Sequence, residues 1–244
     1  MSEARIDLEH DHRPEAIAAR LADGPRINYL RDWVYGGIDG AVTTFAIVAG
    51  VVGASLDSKV ILILGAANLL ADGFSMAAAN FSSTKAEIDD YRRIRRIEER
   101  HIEFHPDGER EEVRQIYQAK GFSGQNLEHM IDIVTSDKQH WIDFMLAEEY
   151  GLALAQRSPL KSALATFLAF CVCGLVPLLP FVFALPAAAV TATLMTAVVF
   201  FAIGSIKSIW STQRWYWSGL ETLAIGLAAA AMAFAIGVTL EKVI

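Results

Sequence analysis

The side chains with the clearest chemical potential in this sequence lie inside long apolar stretches. Asp39 and Asp72 each interrupt a stretch of this kind. Ionisable groups are expensive to place inside a bilayer, so each is a functional candidate wherever its stretch spans a membrane. Asn68, Asp72 and Met76 recur every four residues and therefore share one stripe of a helix. A carboxylate, an amide oxygen and a thioether together suit a borderline-soft divalent metal ion better than Mg²⁺ or Ca²⁺.

A purely structural interpretation of the same residues stays open. Asp39 can cap a helix break in the glycine-rich stretch 36–40, and Asp72 can pair with Asn68. The small residues of the first apolar stretch also allow close packing against another helix. Spacing alone does not choose between these roles and metal binding.

A second group of candidate ligands lies in the polar region 82–157. Glu109 and Glu112 are three residues apart, and Met145 and Glu149 are four apart, so each pair lies on one face of a helix. The helix predicted before them adds three more candidates, Glu98, His101 and Glu103. Faces of this kind from three helices can converge on a metal site. The alternative is a solvated surface, which is the usual role of a helix rich in Glu and Arg.

Five apolar stretches are long enough to cross a bilayer as helices, which takes about 20 residues each. They are 33–54, 60–81, 162–184, 187–206 and 220–240. A chain that is 53% hydrophobic, with a mean hydropathy of +0.33, exceeds what a soluble domain of this length carries. The charged residues are concentrated between the second and third stretches. The sequence therefore predicts an all-α, polytopic membrane protein with five transmembrane helices and a helical domain inserted between helices two and three.

The inserted region is predicted to be helical throughout. Its first helix continues directly out of the second span, and Pro106 ends it and begins the next. Ser123 is predicted to cap the third helix. Ser136 and Gln139 are predicted to form a capping box for the fourth, which runs to about Gln156.

The distribution of Lys and Arg predicts the orientation of the chain. With five spans, 19 of the 21 Lys and Arg residues fall on the side of the N-terminus. The predicted organisation is a cytoplasmic tail (1–30), spans one and two (31–81), a cytoplasmic helical domain that carries the candidate metal ligands (82–160) and spans three to five (161–244), with the C-terminus outside. The first residues do not resemble a cleavable signal, which suits a bacterial plasma (inner) membrane.

Four motifs occur in order along the chain: Arg31–Gly40, Ala71–Met76, Trp141–Leu152 and Val176–Pro180. Together they resemble the vacuolar iron transporter family, and the resemblance covers roughly Tyr29 to the C-terminus. It implies a homodimer of five-span subunits with a translocation path between them, lined by the first spans. It also implies exchange of Fe²⁺, often also Mn²⁺, for protons, and a three-helix cytoplasmic metal-binding domain.

The resemblance also implies roles for individual residues. Asp39 and Met76 correspond to ligands embedded in the membrane. The cytoplasmic ligands implied are Glu98, Glu109, Glu112, Met145 and Glu149.

The sequence departs from the family pattern at two places. Family members with a Glu-x-x-Glu motif on the first cytoplasmic helix have a second acid three residues after the first. This chain has His101 at that position, so the partner of Glu98 is either His101 or Glu103. The acid that some members hold eight residues before the methionine is Asn68 here, and we expect Asp72 to take over its charge.

These observations predict transport of Fe²⁺ and/or Mn²⁺ out of the cytosol by proton antiport, without enzymatic activity. The expected partners are divalent metal ions, protons, the lipid bilayer and a second copy of the chain, with no prosthetic group and no nucleic acid. One alternative is a membrane-anchored metal-binding or ferroxidase module, although Glu98–His101 is the single helical Glu-x-x-His pair of the di-iron type. The other is an organic-cation transporter, against which the thioethers of Met76 and Met145 argue mildly.

Overall fold

The computed structural model describes residues 11–24, 27–153 and 156–243. Within these ranges the chain is helical and contains no strand. The α-helices in chain order are α1 (Pro14–Asp23), α2 (Leu30–Gly53), α3 (Ser58–Phe104), α4 (Pro106–Ala119), α5 (Gly124–Thr135), α6 (Lys138–Glu148), α7 (Pro159–Leu175), α8 (Leu179–Val182), α9 (Ala188–Lys207) and α10 (Trp215–Glu241). Short 3₁₀ turns at Val176–Leu178 and Ser208–Trp210 follow α7 and α9.

Five helical segments of the described chain are long and apolar enough to cross a membrane. They are α2, α3, the α7–α8 segment Pro159–Val182, the segment Ala188–Trp210 and α10. The prediction of an all-α chain with five membrane-spanning helices is confirmed. The turn between the first two spans is tight because the Asp57 carboxylate caps α3, accepting a hydrogen bond of 2.7 Å from the Lys59 backbone N–H.

Helix α2 lies at the centre of the membrane bundle and contacts α3, α7, α9 and α10. Its glycines allow α7 to approach closely, because a Cβ atom at Gly36 or Gly40 would collide with the backbone of Thr166 or Phe170. The closely spaced glycines thus serve packing inside one subunit. Helix α2 also runs unbroken through this stretch, so Asp39 does not cap a helix break.

Helix α3 is 47 residues long and belongs to both halves of the molecule. Its first part packs against α7, and its last part packs against α4 and α6. The helices that follow the second span have a hydrophobic core of their own, separate from the core of the membrane bundle. That core includes Ile94, Ile102, Val113, Ile131, Ile142 and Leu146. A single continuous helix therefore connects the membrane bundle to the inserted helices.

The last inserted helix is shorter than the sequence predicted. Helix α6 ends at Glu148, whereas the prediction continued it to about Gln156. Gly151 adopts a left-handed conformation with φ of 65°, which a helix does not accommodate. The described residues beyond it, 151–153 and 156–158, form a non-helical connector to α7.

The helix caps of the inserted region also differ from the prediction. Asp137, not Ser136, caps α6, because its carboxylate accepts a hydrogen bond of 2.9 Å from the His140 backbone N–H. The Ser136 hydroxyl instead donates to the Ile133 carbonyl at the end of α5, at 2.7 Å. Ser123 occupies the predicted cap position of α5 but makes no side-chain cap hydrogen bond.

Candidate metal site and membrane path

The end of α3 and the start of α4 bring three candidate ligands together. The nearest ligand atoms of Glu98, His101 and Glu109 lie within 4.8 Å of one another. Glu98 and Glu109 are buried, with 1% and 4% of their surface exposed, while His101 is exposed. Pro106 makes this possible, because it begins α4 with only His105 between the two helices and so folds the first turn of α4 back beside His101.

The buried carboxylates of this cluster are only partly satisfied by the residues around them. The Oε2 atoms of Glu98 and Glu109 have no hydrogen-bond partner among the described residues. The other oxygen of Glu109, Oε1, lies 3.1 Å from His101 Nδ1. Burial, followed by the charges of Glu98, Glu112 and Glu149, raises the pKa of Glu109 to about 8. Buried acids that repel each other in this way favour either protons or a bound cation.

Two further acids stand close enough to act electrostatically on this pair. Glu112 on α4 and Glu149 just after α6 both raise the pKa of Glu109. The pKa of Glu149 is itself raised, first by burial of its carboxyl group and then by the charges of Glu98 and Glu112. Met145 lies one turn before Glu149 and is fully buried in the core of the inserted helices. Carboxylate and imidazole groups from α3, α4 and the end of α6 therefore lie close together, and a thioether is buried one turn before Glu149.

Tyr150 belongs to the same region and was missed by the sequence analysis as a site residue. Its hydroxyl group donates to Glu98 Oε1 at 3.1 Å. Burial and the nearby charges of Glu98 and Glu149 raise the pKa of this phenol, so it remains a donor at neutral pH. The available signal was its place beside Glu149 in the motif Trp141–Leu152.

Glu103 lies apart from the cluster. Its side chain is exposed and lies 4.0 Å from the Lys138 ammonium group. Glu98 and His101 are three residues apart and share a helix face, whereas Glu103 is rotated by about 140° from Glu98 around α3. Of the two possible partners of Glu98, the structure thus brings His101 into the cluster and leaves Glu103 outside.

In the membrane, α2 and α3 run antiparallel and face each other with polar side chains. At one level, Asn80 Nδ2 donates to Asp32 Oδ1 at 2.9 Å. At another, Asn68 Nδ2 donates to the hydroxyl oxygens of Thr43 and Thr44, at 3.1 and 3.3 Å. These contacts set the register of the two helices along most of their shared length.

The register places Asp39 and Asp72 at one level. Asp39 is seven residues from Asp32 on α2, and Asp72 is eight residues from Asn80 on α3. Both acids are half-buried, and their side chains interact electrostatically. Met76 lies one helical turn from Asp72, about 6 Å along the helix axis. Two carboxylates therefore lie at one level between the first two spans, with a thioether one turn away on α3.

Asn68 lies one turn beyond this layer, on the side away from the inserted helices. Its amide nitrogen is engaged by Thr43 and Thr44, and no hydrogen bond to Asp72 is present among the described residues. The alternative interpretation, in which Asp72 pairs with Asn68, is therefore wrong.

A cavity of about 470 Å³ lies between α2 and α3, on the side of Met76 that faces the inserted helices. Its lining residues are Arg31, Asp32, Tyr35, Met76, Ala79, Asn80 and Ser83. Tyr35 is 67% exposed, so the cavity opens on the surface of the chain. On α3, Met76 and Glu98 are separated by about 33 Å along the axis, so the membrane layer and the inserted cluster are two distinct sites on one helix.

Fold and site together define a polytopic α-helical membrane protein with acids facing each other inside its spans, an arrangement typical of ion and proton transporters. The VIT family profile matches residues 30–238 of the chain. The chain therefore belongs to the VIT family.

Individual relatives agree with this assignment. The vacuolar iron transporter of Toxoplasma gondii is 37% identical over 229 residues, covering 89% of this chain and 76% of the relative. That of Centaurea cyanus is 33% identical over 208 residues, covering 84% and 85%. Vacuolar iron transporter 1 of Oryza sativa subsp. japonica is 32% identical over 228 residues, covering 92% and 88%.

Proposed function

We propose that the chain transports Fe²⁺ and/or Mn²⁺ across its membrane through the layer formed by Asp39, Asp72 and Met76. The observation that carries the proposal is the level at which the two acids face each other, set by the hydrogen bonds above and below them. Two carboxylates held together in a bilayer require compensating positive charge. A divalent cation supplies that charge, and the neighbouring thioether favours a borderline-soft metal.

The proposal gives the inserted cluster the role of a collecting site. Glu98, His101 and Glu109 hold donor atoms at distances that one metal ion can bridge, and the unpartnered carboxylate oxygens fit a cation. Glu112, Glu149 and Met145 complete the donor set from α4 and α6. This site takes metal from a dilute pool before its transfer toward the cavity beside Met76.

The direction of transport follows from the positive-inside rule, which puts the inserted helices in the cytosol and the C-terminus outside. Metal then moves from the cytosol outward. The sequence predicts a bacterial plasma membrane, whereas the matching relatives are named for the vacuole. The proposed transport step is the same in either membrane.

Proton antiport follows from the same charge balance. Facing acids without a metal ion are stabilised by protons, so an arriving metal ion displaces protons and returning protons release the metal ion. The raised pKa of Glu109 supports this behaviour for the acids of the inserted cluster.

We further propose that the chain acts as a homodimer. The cavity beside Met76 is lined by charged groups yet opens on the side of the chain next to exposed Tyr35. Charged groups facing lipid are costly, so a second copy that covers this opening would enclose the path. Crosslinking of the protein in its membrane through a cysteine introduced at Tyr35 tests this arrangement.

The proposed function is tested by Fe²⁺ and Mn²⁺ uptake into sealed proteoliposomes, with and without a proton gradient. Asp39→Asn is compared with Glu221→Gln, which alters an acid at the start of α10 that pairs with Lys207 at 3.5 Å. We expect gradient-dependent uptake by the wild type and Glu221→Gln, and none by Asp39→Asn. Uptake that is the same with and without the proton gradient would refute proton coupling. No uptake with metal still bound would favour the anchored binding or ferroxidase module, and uptake of organic cations in preference to metals would favour the second alternative.

A further inference from the structure

One partly buried ion pair lies at the junction between the membrane bundle and the inserted helices. Asp32, in the first turn of α2, is only 6% exposed. Its Oδ2 atom accepts a hydrogen bond from Arg157, and its Oδ1 atom accepts the hydrogen bond from Asn80. Both carboxylate oxygens are thus engaged, one by a cation and one by a neutral amide.

The same residues connect three helices. Asn80 Nδ2 also lies 2.7 Å from Thr166 Oγ1 on α7, and the Arg157 guanidinium donates to Ser162 Oγ at 3.1 Å. The guanidinium stacks over the Tyr29 ring, with 5.7 Å between its central carbon and the ring centroid. The Nε atom of Arg157 is buried and has no hydrogen-bond partner among the described residues. The Arg157 guanidinium therefore has Asp32 as its charged partner, while one of its buried N–H groups has no acceptor among the described residues.

Asp32 also lines the cavity that leads to Met76. Asp32 lies two turns before Asp39 on α2, and Asn80 lies one turn after Met76 on α3. Asp32 is thus an acid that lies between the inserted helices and the Asp39 layer, on the cavity that reaches Met76. In the structure, a guanidinium group neutralises it.

Arg157 is placed so that it can leave Asp32 without disrupting a helix. It lies in the described connector segment 156–158, which is not helical, whereas Asp32 and Asn80 are fixed in long helices. The connector begins directly after Glu149 and Tyr150 of the inserted cluster and ends at α7. Release of Arg157 thus requires rotation of a side chain and adjustment of a loop.

We propose that Arg157 is a resident counter-cation of Asp32, which the transported divalent metal ion displaces as it passes through the cavity toward Met76. The inference rests on the proposed function and adds a positioning residue to it. A divalent ion competes well for a carboxylate held by one singly charged group, and the Asn80 amide keeps that carboxylate aimed at the cavity while the exchange occurs. Arg157 thereby compensates the charge of the buried Asp32 carboxylate between transport cycles.

The test compares Arg157→Gln, Arg157→Lys, Asp32→Asn and the Asp32→Asn/Arg157→Gln double variant in proteoliposomes, measuring initial Mn²⁺ uptake against Mn²⁺ concentration. Lys161→Gln, which removes an exposed cation four residues along the chain, is the matched control. Removing a resident competitor raises the fraction of binding-competent sites, so Arg157→Gln is expected to lower KM by about 3- to 10-fold. Asp32→Asn is expected to raise KM, the double variant to match Asp32→Asn, and Arg157→Lys to stay near the wild type.

A purely structural ion pair predicts a different pattern. Arg157→Gln and Asp32→Asn would each reduce the amount of folded protein, the double variant would recover it, and KM would stay unchanged in all of them. That pattern overturns the inference, and the double variant keeps the test informative if Arg157→Gln alone does not fold. Equilibrium Mn²⁺ binding by the full-length chain, with the inserted site weakened by Glu109→Gln, separates the two proposals if the wild type does not transport. The same order of affinities would still support the counter-cation role, and equal affinities would refute it.

Discussion

The raised pKa of Glu109 gives metal binding at the inserted site a definite pH dependence. With a pKa of about 8, this carboxyl group is protonated in most metal-free molecules at neutral pH. A metal ion that uses its oxygen atoms must displace that proton. Well below the pKa, each pH unit therefore weakens apparent affinity by about tenfold, so affinity should rise about 50-fold from pH 6 to pH 8 and then level off.

The assay is Mn²⁺ binding to the full-length chain in detergent between pH 6 and pH 9. Glu109→Gln is expected to bind weakly and to lose the steep dependence. Glu128→Gln alters an exposed acid on α5 that pairs with Arg114, and it should keep the wild-type slope. A flat wild-type profile would refute the reasoning, and so would a slope that survives in Glu109→Gln.

The same shift predicts the opposite trend for stability without metal. The folded chain keeps a proton on Glu109 up to about pH 8, whereas the unfolded chain releases it near the ordinary value of 4.5. The folded state binds more protons in this window, so its free energy of unfolding falls as pH rises, by at most about 1.4 kcal/mol per unit. Thermal melting of the metal-free protein should therefore occur at a lower temperature at pH 8 than at pH 6, and added Mn²⁺ should restore it most strongly at pH 8.

Three sets of substitutions test other parts of the structure. Asp72→Asn should abolish Mn²⁺ uptake into proteoliposomes while Asn68→Ala spares it, because only Asp72 shares the level of Asp39. The reverse result would refute the role given to Asp72. Tyr150→Phe should weaken Mn²⁺ binding at the inserted site by about tenfold or more without loss of folded protein, because Glu98 loses its orienting donor. Gly40→Ala should destabilise the detergent-solubilised protein by about 1–3 kcal/mol through collision with the Phe170 backbone, whereas Gly108→Ala, with open space around its Cβ position, should not.

Features that depend on neighbouring residues were predictable from the sequence. Apolar length identified the five spans, and Pro106 marked the break between α3 and α4. The four-residue spacing of Asn68, Asp72 and Met76 correctly described one stripe of α3. In each case the determining physics acts within a few residues of the chain.

Features that depend on distant residues were not predictable. Arg157 and Asp32 are 125 positions apart, and nothing local to either indicates that they pair. Helical spacing places His101 on the face of Glu98 and Glu103 off it, but spacing does not show that Glu109 joins them. Only the angle at which α4 returns against α3 decides that His101 lies beside Glu109. The end of α6 at Glu148 depends on a backbone conformation at Gly151 that spacing does not reveal.

The position of Asp72 has a consequence for the proposed transport path. An acid at position 68 would lie level with Thr43 and Thr44, one turn beyond Asp39 as seen from the inserted helices. At position 72 the charge moves about 6 Å along the axis, to the level of Asp39 and one turn from Met76. Two acids at one level bind a divalent cation jointly, whereas two acids on successive levels hold it in turn. The chain therefore concentrates its membrane charge in a single layer, between the Asn80–Asp32 contact on one side and the Asn68–threonine contacts on the other.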